Sequence, residues 1–239
     1  MVRGSYPAPH ASDVPTRLFY ENYLDTYVTR DVMGYLDVRN ERDFRRFIVA
    51  CAARAGNLVN YADLARDIGM SVPTVRSWFS ILESSFVVNT LAPYSANIAK
   101  RLTRTSKLYF CDTGLLYHLL GIGDALALSR SPFLGPIFES FVLSEQRKRH
   151  HTTRIRPNLM FYRDDSKIVG LVDATDTSQS LLCEIKSGQT YRGSFTRNLR
   201  TVGRMPGLEN ATLNVVYEGE GAFVDEGVSV FGIREWLTR

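Results

Sequence analysis

The stretch LLCEIKSG, residues 181–188, decides how the C-terminal half of this chain is read. Three apolar residues lead into a carboxylate and an ammonium one residue apart. Side chains alternate along a β-strand, so Leu181, Cys183 and Ile185 fall on one face while Glu184 and Lys186 share the other. Working outward, the preceding strand is IVGLVDAT, and the polar residues Asp176 to Gln179 supply a turn between the two. A hairpin turn centred between Ser178 and Gln179 sets Asp173 opposite Glu184, with Lys186 on the same face.

Cross-strand neighbours lie about 5 Å apart. That is close enough for Asp173 and Glu184 to chelate one hard cation of the Mg²⁺ type, with backbone carbonyl and water completing the shell. Lys186 then neutralises the pair or orients a water. Glu139, on a helix upstream, has Val142 and Leu143 as its i+3 and i+4 neighbours and leans toward an apolar side. The pattern of helix Glu, strand Asp and Glu-x-Lys on the next strand resembles the PD-(D/E)xK, or restriction-endonuclease-like, superfamily. The resemblance implies that Glu139, Asp173, Glu184 and Lys186 are catalytic, with Asp173 and Glu184 holding Mg²⁺. The reaction it implies is metal-assisted phosphodiester hydrolysis. The competing reading of Glu-x-Lys is a solvated strand edge with a salt bridge.

Upstream, residues 61–67 and a second helix capped by Ser71 flank a turn at Gly69, which is the layout of a helix-turn-helix. Val72, Val75, Phe79 and Leu82 form the buried stripe of the second helix, leaving Thr74, Arg76 and Ser77 nearer solvent. Strands over residues 86–95 and 106–112 follow and make the unit a winged helix. Between them Lys100, Arg101, Arg104 and Lys107 occur without an acidic residue and suit phosphate contacts. Helices are expected over residues 18–36 and 41–55. His118, His150 and His151 are read as packing or surface residues.

The expected fold is therefore α+β to α/β. Residues 1–16, with three prolines, form an extended lead-in; residues 17–128 are a helical winged-helix domain; residues 129–239 are a restriction-endonuclease-like α/β domain with a central mixed sheet. The 239 residues are 44% hydrophobic, ample for packed cores. A balance of 29 Lys and Arg against 25 Asp and Glu permits an anionic partner without requiring one. Three separated cysteines suggest neither a disulfide framework nor a metal quartet. The absence of a signal-type or membrane-length apolar run points to the cytoplasm and to no membrane partner.

As a whole the chain resembles the domain of unknown function numbered four-one-four-three, which follows an AAA-type ATPase module in bacterial and archaeal proteins. The phrases YLDTYVTRDV, NLVNYADLARDIGMSVPTVRSWFSILESSFVV, LAPYSANIAKRLTRTSKLYFCDTGLLYHLLG, GPIFESFVLSEQRK and CEIKSG carry the likeness, which extends over nearly everything after residue 5. It implies DNA as a partner, a separate or deleted ATPase module, and a chain that is a shortened relative, a mis-started frame or a piece of a longer protein. Two departures stand out. No GxxxxGK[ST] loop occurs, so there is no ATP site of that kind in these residues. Leu171 stands where the family commonly places a Glu. A non-enzymatic DNA- or protein-interaction module with an inactive nuclease-like fold is the alternative.

Overall fold

Residues 1–16 are not the extended lead-in that their prolines predict. The computed structural model describes residues 1–27, 41–95, 105–163, 168–176 and 178–239, and within it α1 (Ala8–Ala11) is already helical. Proline tolerates the first turn of a helix, where its missing N–H has no partner to lose. Ahead of α1, the Tyr6 ring packs on Phe19 and Tyr23 of α2 (Thr16–Thr26), 5.7 and 5.0 Å between centroids. Asp112 holds this segment: its carboxylate accepts hydrogen bonds from the Ser5 N–H, the Tyr20 hydroxyl and the Leu115 N–H. The contact leaves no room for a side chain at Gly4, φ +69°, where a Cβ would strike the Tyr20 hydroxyl and the Asp112 carboxylate. Glycine alone satisfies both the backbone conformation and the close approach.

The chain divides into two units: residues 1–90 with 108–140, and residues 91–107 with 141–239. In the first, α3 (Glu41–Ala52), α4 (Tyr61–Ile68) and α5 (Val72–Ser84) pack on one another. The i, i+3, i+4 spacing of Phe44, Phe47, Ile48, Cys51 and Ala52 gives α3 a fully buried stripe. Trp78 of α5 packs edge-on to Phe44 and Phe47, at 5.3 and 5.6 Å, an arrangement that favours aromatic pairs beyond their area. Asn60 caps α4, Gly69 in the left-handed region ends it, and Ser71 caps α5. These are the residues that helix ends require. After α5 come β1 (Val88–Pro93) and β2 (Lys107–Phe110), then α6 (Thr113–Leu119) and α7 (Ala125–Ser129).

The second unit is built on a mixed sheet. It takes the end of β1, then β3 (Leu159–Arg163), β4 (Ile168–Asp173), β5 (Leu181–Lys186), β6 (Thr212–Tyr217), β7 (Ala222–Asp225) and β8 (Val228–Gly232). Across the sheet the order is β1-β3-β4-β5-β6-β8-β7. Pairing is parallel for β1 with β3, β5 with β6 and β6 with β8, and antiparallel for β3 with β4, β4 with β5 and β7 with β8. The long helix α8 (Leu134–Thr152) precedes the sheet. A 3₁₀ turn (Gly193–Thr196) runs into α9 (Arg197–Val202), and α10 (Ile233–Leu237) closes the chain.

One face of the sheet carries Met160, Val172, Leu182, Val215, Val228 and Val230, packed with Leu199 and Val202 of α9. A β-bulge between Met160 and Tyr162 moves Val169 onto that face too, because an extra β4 residue shifts the alternation.

Candidate functional site

The register of β4 on β5 determines whether the four acidic and basic candidates meet. The observed pairs are Leu171 with Cys183, Val172 with Leu182 and Asp173 with Leu181. Asp173 is thus not opposite Glu184, as a two-residue turn at Ser178 and Gln179 would have it. The turn is longer: residues 174–180 connect the strands, and the polar residues form local bonds instead of a tight hairpin. Asp176 Oδ1 accepts from the Ser178 N–H at 2.8 Å and from its hydroxyl at 2.6 Å. Asx-type bonds of this kind compete with hairpin geometry.

A shift by an odd number of residues exchanges the faces. Asp173 therefore lies on the side of Leu171 and Cys183, while Glu184 and Lys186 lie on the side of Val172 and Leu182. Three residues of β5 separate Leu181 from Glu184, about 10 Å along the strand. With the sheet also between them, Asp173 and Glu184 do not form the two-carboxylate cradle that a shared Mg²⁺ needs. Among the described residues no group of three or more His, Cys, Asp or Glu is placed to hold a metal ion.

Each carboxylate instead has its own setting. Asp173 is 4% exposed. Its Oδ2 accepts from Gln146 Nε2 at 2.7 Å and lies 2.6 Å from His150 Nε2, both on α8, and its Oδ1 accepts from the Thr175 N–H at 3.0 Å. Burial alone would raise this carboxyl above its ordinary value, but the bonds from Thr175, His150 and Gln146 outweigh it and hold it below. Gln146 and His150 are one helical turn apart, so α8 presents both to one acceptor.

Glu184, 6% exposed, has Lys186 Nζ at 2.6 Å from its Oε1, and that ammonium stands 5.8 Å from the Phe195 ring centroid. The strand's burial on both faces departs from the solvated edge of the competing reading, although the Glu184–Lys186 salt bridge is present. Glu139 accepts a hydrogen bond from the buried Tyr109 hydroxyl at 2.8 Å, both in the first unit. Burial, and then the Glu139 charge, push that phenol well above its ordinary value. Satisfying a buried hydroxyl is sufficient reason for a carboxylate on the apolar side of α8.

On α5, Arg76 and Ser77 are exposed, and the Arg76 guanidinium lies 4.2 Å from the Tyr61 ring centroid. Thr74 is drawn into the cap: its N–H donates to Ser71 Oγ at 3.2 Å, and the two hydroxyls are 2.7 Å apart. Lys107 Nζ is 5.5 Å from the Phe161 ring centroid. Lys100, Arg101 and Arg104 lie outside the described residues.

Comparison with known proteins places the two halves differently from a single continuous likeness. Residues 1–126 match the domain of unknown function DUF8612. The chain belongs to the DUF8612 family. Residues 134–236 match a second domain of unknown function, DUF4143. The likeness to DUF4143 thus covers the C-terminal part, and the helix-turn-helix phrases fall within the DUF8612 match. Uncharacterized proteins of Mycobacterium bovis and Mycobacterium tuberculosis are each 33% identical over 228 residues, which is 93% of this chain and 49% of theirs. The chain therefore spans about half the length of the curated relatives it matches.

Within the DUF4143 match, sequence reasoning misses Gln146 and His150 as partners of Asp173. One signal was available: Gln146 and His150 stand four apart on a helix that begins with an apolar face. Polar pairs at that spacing ahead of a strand Asp are candidates for a helix-to-strand clamp. Tyr109 as the partner of Glu139 carries no local signal, since the two are 30 residues apart. Cys51 and Cys183 are buried thiols, each pushed above the ordinary range by burial, which suits packing rather than nucleophilic chemistry.

Proposed function

We propose that this chain is a non-hydrolytic DNA-binding part of a larger protein, in which a winged helix contacts duplex DNA and a nuclease-like α/β domain lacks a working metal site. The second half of the reading is carried by the register of Leu171 with Cys183, which sends Asp173 and Glu184 to opposite faces. Metal-assisted hydrolysis needs both carboxylates on one ion. Carboxylates on opposite faces of the sheet give Mg²⁺ no shared pair of oxygen ligands here.

For the first half, support comes from α4, the left-handed Gly69 and the Ser71-capped α5, followed by β1 and β2 in the order of a winged helix. Two of the three arginines of α3 are neutralised locally, Arg45 by Asp25 and Glu41 and Arg46 by Asp43. Arg76 is held over a ring and pairs with no carboxylate among the described residues. The half-length match to larger relatives leaves room for the ATPase module that the family resemblance implies.

A plasmid-nicking assay with Mg²⁺ or Mn²⁺ separates the two readings. The parent is expected to leave the plasmid intact; nicking that disappears in both Glu184→Ala and Lys186→Ala overturns the non-hydrolytic reading. Duplex binding is measured by fluorescence anisotropy over a salt series. Arg76→Ala is expected to weaken it, and replacing Lys100, Arg101, Arg104 and Lys107 by Ser lowers the slope of log affinity against log salt by about 3 to 4. A parent with no duplex affinity, or a slope unchanged by that replacement, removes the DNA reading of this region.

A further inference from the structure

The longest run in the C-terminal unit with basic but no acidic residues is neither of those singled out by the sequence. From Lys186 to Leu208 the chain carries Lys186, Arg192, Arg197, Arg200 and Arg204 and no Asp or Glu. The structure folds this run into the 3₁₀ turn and α9, on the same face of the sheet as Glu184.

Two of the five cations are matched. Lys186 pairs with Glu184, and Arg200 pairs with Glu226. Glu218 and Glu220, just past β6, add negative charge on the Lys186 side, since the Glu218 N–H bonds to the Lys186 carbonyl. Arg192, Arg197 and Arg204 are exposed and form no ion pair among the described residues. A guanidinium costs side-chain entropy to immobilise, and three left unpaired along one short segment favour a polyanion that can engage them together.

Aromatic rings are interleaved with these arginines. Tyr191 packs edge-on to Phe195 at 5.7 Å and to Phe223 of β7 at 5.0 Å. The Tyr191 hydroxyl donates to Asp225, which fixes the ring against the sheet edge. Phe223 remains 41% exposed and its neighbour Val224 70% exposed, on the strand at the margin of the sheet. Exposed ring surface beside unpaired guanidiniums is the composition of a single-strand platform. Phosphates take the charge and unpaired bases stack on the rings. A duplex keeps its bases inside and offers such rings nothing.

We propose that the surface formed by residues 191–204 together with Phe223 binds single-stranded nucleic acid, with Arg192, Arg197 and Arg204 on phosphates and Phe223 against a base. The site is separate from α5, so its test is independent of the duplex reading.

The experiment titrates the full chain into fluorescein-labelled oligo-dT of about 20 nucleotides and into a duplex of equal length, over a salt series. Replacing Arg192, Arg197 and Arg204 by Ser is expected to weaken oligo-dT binding at least about tenfold and to reduce its salt slope by about 2. Phe223→Ala is expected to weaken it about tenfold with the slope unchanged. Arg76→Ala should leave oligo-dT binding intact while duplex binding falls. All substitutions are at exposed side chains, and circular dichroism verifies the fold of each variant.

A parent that does not bind oligo-dT overturns the proposal, as does a triple variant that binds as the parent does. Equal losses on single strand and duplex for Phe223→Ala would overturn the stacking role. If the triple variant loses binding to phosphatidylserine vesicles but retains oligo-dT, the surface is a lipid contact and the proposal falls.

Discussion

At the scale of single residues, Asp173 concentrates the interactions of the C-terminal unit. Its carboxyl is held below the ordinary value by bonds from Thr175, His150 and Gln146 that exceed the effect of burial. A carboxyl whose folded value is depressed contributes stability above its unfolded value, near pH 4, and loses it as pH falls through the folded value. Thermal unfolding of the parent should therefore show a falling midpoint below about pH 4. Asp173→Asn places an amide donor against Gln146 and His150, so it should cost about 1–3 kcal/mol at pH 7. The gap between the two proteins should narrow as the buffer is acidified. Parallel pH profiles would show that the carboxylate has no such role. Asp173 was legible in the sequence as a strand acid, but its partners were not: the four-residue spacing of Gln146 and His150 puts them on one helix face, and only the packing of that helix, 23 to 27 residues upstream, decides which acid they reach.

At the scale of elements, caps and periodicity carried most of the information. The α4–α5 pair is bounded by Asn60, Gly69 and Ser71, and each does what its chemistry dictates at a helix end. Ser71→Ala removes the acceptor for the Thr74 N–H and is expected to cost about 1 kcal/mol in urea unfolding. Freed from the cap, the Thr74 hydroxyl gains exposure, so duplex affinity should not decrease; a large loss of affinity without a change in stability would mean that Ser71 itself contacts the ligand. Four short elements escaped the sequence: α1, α7, β7 and α10, of four, five, four and five residues. None spans two helical turns or shows clean alternation. β7 is exposed along most of its length, so its partner β8, rather than its own pattern, makes it a strand.

At the scale of the whole molecule, the separation of Asp173 from Glu184 makes a prediction about metal. An ion that binds the folded chain raises its unfolding midpoint by mass action. Differential scanning fluorimetry with and without about 10 mM Mg²⁺ should give the same midpoint within about 1 °C. A clear upward shift that vanishes in Glu184→Gln would mean that the carboxylates do meet around an ion.

The sequence by itself determined the class of the fold, the helix ends at Gly69 and Ser71, and the strand character of residues 181–186, because propensity, capping and alternation act over a few residues. Only the tertiary structure decided which side chains share a face. Register depends on the longer connection in which Asp176 and Ser178 bond to each other in place of a tight turn, and a shift of an odd number of residues moved Asp173 to the other face from Glu184 and into the grip of α8.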